Sequence, residues 1–314
     1  MNGRPWSTNR DKGARQSRRA PVSVVRFLKK FHWMDAVILA IVAGFVATIW
    51  FRIEGNLNYK WNWGIIPNYI LRYKEGEGWV ANLLLQGVIT TLRVSIYASI
   101  LALILGTLLG VARCAKNLTI RMLARTYLEC LRNVPPVVVV FIFFFFLSEQ
   151  IIIAFNIEGW ARGIARSDNP EIWEFFFGDM RRFPSLISGV FVLALFESAF
   201  VGEIVRAGIQ SIDRGQREAA RSLGMSWFDE MRYIILPQAI RKVLPPMANQ
   251  FISLIKDSSI ISLISVQELT YKTVELVAST RAIFEAWITT AALYFMLCFS
   301  LSMLFRRLER GKNR

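Results

Sequence analysis

Five charged residues stand within or at the ends of apolar stretches of this chain: Arg93, Glu197, Glu203, Lys256 and Asp257, with Asn249 as an uncharged polar companion. A charge at membrane depth is costly, and it faces a cavity or a partner. Glu203 and Arg206 are three residues apart, the spacing of a simple intrahelical pair. Catalytic chemistry is poorly served. The single histidine is His32, and Cys114, Cys130 and Cys298 lack the spacing of a metal site or a disulfide framework. With no clear nucleophile-base constellation, a membrane-embedded enzyme ranks far below passage of a polar solute. No metal, cofactor or catalytic residue is expected on this chain.

The elements that must position these residues are long apolar runs, in a chain of 314 residues that is 54% hydrophobic. A helix needs about 20 mostly apolar residues to cross the hydrocarbon core, and it satisfies its own backbone there. The runs predict an all-α integral membrane protein with six spans near 34–53, 83–112, 126–155, 185–207, 242–267 and 283–305. The first span lies well inside the chain without a clear cleavage site, so it reads as a membrane helix, not a removable signal peptide. Pro135–Pro136 and Pro245–Pro246 are expected to prevent regular helix at the starts of the third and fifth spans. Lys256–Asp257–Ser258–Ser259 reads as a break in the fifth. Gly106 and Gly110 share a helix face that permits close helix approach.

The formal net charge of +15 is concentrated in the two tails and in the 113–125 and 208–241 connections. Basic residues flanking spans mark the cytoplasmic side, so both termini are expected there and nucleic acid is not an expected partner. The basic Arg162, Arg166, Arg181 and Arg182 run against that rule, in a 156–184 connection assigned to the outside. The expected organisation is a basic tail 1–33, an extra N-terminal span 34–53, an external segment 54–82 and a transmembrane domain 83–307 with a loop 211–240. Trp61, Trp63, Tyr69, Tyr73 and Trp79 suit either a membrane-water interface or a small packed external cap.

The most informative stretch is Gly215 to Gln250. It reads as a polar helix-turn-helix between two spans. Ser211 or Asp213 caps a first helix beginning near Gln216. Ala219, Ala220, Leu223 and Gly224 form a small-residue patch, and Gly224 ends the helix or allows close approach. A second amphipathic helix follows from Trp227 to Leu236, and Pro237 then redirects the chain. Such a knob suits a groove on a partner, although pattern alone favours an ordinary interfacial helix.

This stretch resembles the EAA loop of permeases of ATP-binding-cassette importers, through Glu218, Ala219, Ala220, Gly224, Ile234, Leu236 and Pro237 in fixed register. Gly215–Gln216, Leu236–Pro237–Gln238–Ala239, Pro245–Pro246, Asn249, Lys256–Asp257–Ser258–Ser259, Thr90–Thr91–Leu92 and Glu197 to Glu203 are similar to the branch that takes up polar amino acids. The resemblance covers about residues 83 to 307, a five-helix type I core, with the first span and the 156–184 loop as additions. Arg132 matches the branch, but Val139 stands where a polar residue is usual. The resemblance implies a bacterial inner-membrane permease without its own ATPase, and the chain has no Gly-x-x-x-x-Gly-Lys-[Ser/Thr] loop. It implies a separate ATP-binding-cassette ATPase docked on the coupling loop, a second permease copy or paralogue, and an external substrate-binding protein.

An amino acid needs a cation or amide donors for its carboxylate and an acid for its ammonium group. Arg93 and Glu197 supply these if they face one path; otherwise they pair with each other. Arg132, Asn249, Lys256 and Asp257 are the further path candidates. A self-contained secondary transporter or channel also fits the membrane charges, but leaves the EAA-like loop unexplained.

Overall fold

The computed structural model describes residues 33–56, 59–76, 78–167 and 169–312. Residues 1–32 of the expected basic tail, His32 among them, and Arg314 lie outside the described residues. The chain divides into two units, 1–60 and 61–314. In the first, helix α1 (Trp33–Asn56) is apolar on all sides, long enough to cross a bilayer.

The second unit is built around two long helices, α3 (Leu83–Ala112) and α8 (Phe183–Gln210). Gly106 packs against Ser198 and Val201, and Gly110 against Gly202 and Val205. The register rises together on both helices, so they run parallel. A Cβ on Gly106 would lie 2.5 Å from Val201 side-chain atoms, and one on Gly110 would lie 2.7 Å from the Gly202 carbonyl. The glycine pair therefore sets the helix separation, as its spacing predicts. Val94, Ala98, Ala102, Val190, Leu193 and Ala194 continue this seam as a buried core.

The segment before α3 is a packed cap. It contains helix α2 (Ile66–Ile70) and an antiparallel hairpin of β1 (Leu71–Lys74) and β2 (Gly78–Ala81). Ile66 is buried with Leu84, Leu269, Leu276 and Ala286, and Trp61 stacks on Trp63. Tyr69 packs into this cap and Trp61 also lies against Phe284, while Trp63 is exposed and Tyr73 and Trp79 pair edge to face on the exposed hairpin.

The predicted third span divides in two. Asn117 caps α4 (Leu118–Asn133) by accepting from the Thr119 and Ile120 amides. Val134 is extended, because a residue before proline is pushed out of the helical region. The apolar helix α5 begins at Pro136 and runs to Ala154 through a π-helical turn at Phe144–Ser148. The 156–184 connection is ordered too, as α6 (Ile157–Ala165) and α7 (Pro170–Phe177). Ala161, Met180 and Phe183 form a small core there with Phe177 against it, and Trp160 lies against Trp173 and Phe183, while Phe175 and Phe176 are exposed.

The prolines of the predicted fifth span do not interrupt it. A helical turn at Trp227–Asp229, a π-helical segment at Glu230–Ile235 and α10 (Leu236–Asp257) follow without a gap, and Pro245 and Pro246 lie inside α10. Nor does Pro237 redirect the chain. Its ring would collide with the carbonyl four residues earlier, and the wider π turn just before it relieves that conflict. The break expected at Lys256–Ser259 is present: α10 ends at Asp257 and a 3-10 segment covers Ser258–Ile264. Two helices follow, α11 (Leu269–Thr280), absent from the sequence expectation, and α12 (Ile283–Lys312). Five described helical segments are long and apolar enough to cross a membrane; α10 falls below that measure and packs against α8 along one face, with Ala239, Leu254 and Ile255 buried.

Candidate coupling loop and translocation path

The loop after α8 is built from caps. Buried Ile212 anchors its start, and Asp213 accepts the Gly215 amide at 2.6 Å to begin α9 (Arg214–Ser222). The helix closes when the Met225 amide donates to the Ala220 carbonyl and the Gly224 amide to the Arg221 carbonyl. That pattern needs a left-handed residue, and Gly224 supplies it at φ 74. Ser226 caps the next turn by accepting from the Asp229 amide.

An unforeseen carboxylate holds this loop together. Glu230 is buried, with Arg221 Nε 3.2 Å from one oxygen and Arg217 Nη1 3.7 Å from the other. Arg217 also donates to the Ile209 carbonyl at the end of α8 at 2.7 Å. One acid thus ties both arms of the loop to the membrane helix. Met231 and Ile235, from the π turn, enter the main core beside Ala239.

The EAA-like residues separate into two faces. Glu218, Ala219, Gly224 and Pro237 are exposed, Ala220 is buried, and Ile234 and Leu236 pack against the core. The expected small-residue patch is therefore not one surface, since Ala220 turns inward. Leu223 stands at the tip, 81% exposed, with Phe228 exposed beyond it. Leu223 directly follows the nine-residue helix, and a bare apolar side chain beside the polar Arg214, Gln216, Arg217 and Glu218 suits a partner's groove.

The path candidates also separate. Glu197 is fully buried; one oxygen accepts from Gln250 at 2.7 Å and the other has no hydrogen-bond partner. Both residues line a cavity of about 350 Å³ between α3, α8 and α10, with Thr107, Met247 and Leu254. Asp257 is a neighbouring acid of the same carboxylate. Asn249 and Lys256 are exposed and do not line this cavity. Gln250, the neighbour of Asn249, does, and nothing local in the sequence told one amide of this adjacent pair from the other.

Arg93 does not meet Glu197. It donates to the Glu174 and Phe175 carbonyls, at 3.2 and 2.7 Å, and lines a separate cavity of about 630 Å³. That cavity lies toward the starts of α3 and α8, the end opposite the coupling loop, with Gln86, Arg181, Arg182, Gln267 and Lys272 in its wall. Arg132 lines neither cavity. With Arg113 and Arg206 it surrounds Glu203, at 3.7 Å and 2.8 Å for Arg132 and Arg113, and it lies over the Phe200 ring. The expected Glu203–Arg206 pair is present within this larger cluster. Thr91, singled out by motif, is buried and accepts from the Leu269 amide. Glu268 caps α11 through the Tyr271 amide and accepts from Tyr294 at 2.6 Å, a polar joint that no local pattern announced.

Residues 99–314 match the family described as binding-protein-dependent transport system inner membrane component. A probable glutamine ABC transporter permease protein, GlnM of Bacillus subtilis, is 33% identical over 228 residues, covering 69% of this chain and 91% of that protein. The glutamine transport system permease protein GlnP of Escherichia coli is also 33% identical, covering 73% and 92%. A crystal structure of an amino acid ABC transporter with histidines superposes at a TM-score of 0.58 with 32% identity, over 73% of this chain and 94% of that one. The MetNI methionine ABC transporter, in inward-facing form, shares the fold at a TM-score of 0.53 and 17% identity. The chain belongs to the family of inner-membrane components of binding-protein-dependent transport systems. Within it, the chain is a multi-pass permease subunit of the ATP-binding-cassette importer class.

Proposed function

We propose that the chain forms the membrane path for a polar amino acid and takes its driving force from a separate ATPase seated on residues 211–240. The observation that carries this reading is the loop itself: an exposed Leu223 directly after a short helix, on which Arg217 bridges Glu230 and the end of α8. Force applied at α9 passes through Arg217 to α8, and α8 carries Glu197 at the inner cavity. Two arrangements of that lever, exchanged as the ATPase pair closes and opens, give alternating access. Exposed Lys256 and Asn249, on a helix at membrane depth, support a second permease copy or paralogue across a polar path. Both termini and the coupling loop face the cytoplasm, and an external binding protein delivers the solute to the other face. The glutamine permeases among the relatives support a polar amino acid as that solute. Glu197 holds the ammonium group, with Gln250 as its orienting partner and Asp257 as a neighbouring acid.

Co-purification with the cognate ATPase tests this reading. Gly224→Asp places a charge at the loop, but it also forces a side chain onto a left-handed residue. Leu223→Asp leaves the backbone untouched and is the cleaner variant. Both are expected to lose the ATPase while remaining folded and inserted. If the wild-type chain retains no ATPase and carries solute alone, the self-contained transporter or channel replaces this proposal.

A further inference from the structure

The larger cavity, at the end opposite the coupling loop, has an unusual charge balance. Its wall carries Arg93, Arg181, Arg182 and Lys272 against a single acid, Asp179. Arg182 lies 3.6 Å from Asp179, and Lys272 is 2.8 Å from Glu275. Arg93 and Arg181 have no carboxylate partner among the described residues. Arg93 is nonetheless held in place, because its guanidinium donates to two backbone carbonyls at the end of α7. Gly178 makes room for it. A Cβ there would lie 2.8 Å from Nη1, and the backbone, at φ 78 and ψ −161, belongs to a region that essentially only glycine adopts. Neutral carbonyls fix a cation without cancelling its charge.

In the same wall, Gln267 Oε1 is buried without a hydrogen-bond partner. An unpartnered buried acceptor is costly, and a donor offsets that cost. The cavity thus offers two uncompensated guanidiniums and one amide acceptor in about 630 Å³, a size suited to a small ligand.

We infer that this cavity is a receiving site for a dicarboxylic amino acid, with Arg93 and Arg181 on its carboxylates and Gln267 as an acceptor for its ammonium group. The assignment of the ligand as transported solute rests on the importer reading above; the binding itself does not. A neutral amino acid presents one carboxylate to this wall and a dicarboxylic one presents two, and charge-assisted bonds to guanidinium are the stronger kind. A cationic amino acid meets like charge.

The test is calorimetric binding to the full-length chain, reconstituted in nanodiscs and purified with its ATPase. L-glutamate, L-glutamine, glutarate and inorganic phosphate are titrated separately. Glutarate has no ammonium group, so it reports this cavity rather than the Glu197 site. Glutamate and glutarate are expected to bind at least about 10-fold more tightly than glutamine, from one additional charge-assisted contact. Arg93→Gln is expected to remove that preference, Arg93→Lys to retain part of it, and Arg181→Gln to weaken glutarate binding from an exposed position. Glutamine binding as tight as glutamate binding, glutarate silence, or equal loss of both ligands in Arg93→Gln overturns the inference. So does phosphate binding as tight as that of glutarate, which marks a general anion site. Retention of the ATPase is scored separately. A lost preference with the ATPase retained removes this site alone, and a kept preference without the ATPase removes the importer reading alone.

Discussion

The two ends of the α3–α8 core differ in how their arginines are matched: at the near end arginines gather in multi-element ion clusters, whereas of those lining the far cavity only Arg182 has a carboxylate beside it, Asp179 three residues away. At the coupling end, Glu203 gathers Arg113, Arg132 and Arg206, and Glu230 gathers Arg217 and Arg221. Each cluster spans more than one element, so its acid acts as a tie. At the far end, Arg93 is held by peptide carbonyls, and Arg181 has no carboxylate partner among the described residues. Matched charge holds two pieces of structure together. Positioned but unmatched charge stays ready for something that arrives. The proposed lever and the proposed receiving cavity draw on the same side chain, and the location of the nearest carboxylate is what distinguishes the two settings.

The largest expected effect comes from cutting the tie. Glu230→Ala leaves Arg217 facing a vacated buried position and is expected to destabilise the loop by about 3 kcal/mol, reduced to the extent that water screens exposed Arg221. A thermal-unfolding scan in detergent, with ATPase co-purification, reads this. A melting temperature within a degree of wild type would make the buried acid dispensable and erase the contrast between the ends. Next comes the seam that joins the two ends. Gly106→Ala drives a methyl group against Val201 and the Ser198 carbonyl and is expected to cost about 1–3 kcal/mol, seen as lowered yield of monodisperse protein. The smallest is Asp213→Ala, which removes the α9 cap and costs about 1 kcal/mol. It is expected to soften the loop without releasing the ATPase, and limited proteolysis near residue 213 measures that. Salt sharpens the comparison further. Raising ionic strength is expected to weaken glutarate binding while leaving the Glu230 tie intact, because ligand capture by an open wall is screened more than a buried pair.

Several features were legible because they are local. The α3 and α8 helices follow from apolar runs, and the Gly106/Gly110 contact from a four-residue spacing. Asp213 and Gly224 bound α9 as their residue types require. Prolines were read less well. Pro135–Pro136 ends one helix and opens another, whereas Pro237 follows a π turn and Pro245–Pro246 lie within a helix, since packing against α8 and α12 holds α10 in that form. Composition gave no sign of α11, whose start depends on Glu268, Thr91 and Tyr294 meeting from three separate segments.

By itself, the sequence determined a helical membrane protein, a break after Asp257 and a capped polar loop bearing the EAA-like register. Each follows from a backbone or solvation preference that acts within a few residues. Only the tertiary structure decided which charges meet. Arg93 and Glu197 entered as possible partners and stand in different cavities, Arg132 joined the Glu203 cluster, and Glu230 became the acid that ties the loop. The physical reason is that ion pairing depends on distance in space, and residues many positions apart come within a few ångströms only after the helices have packed.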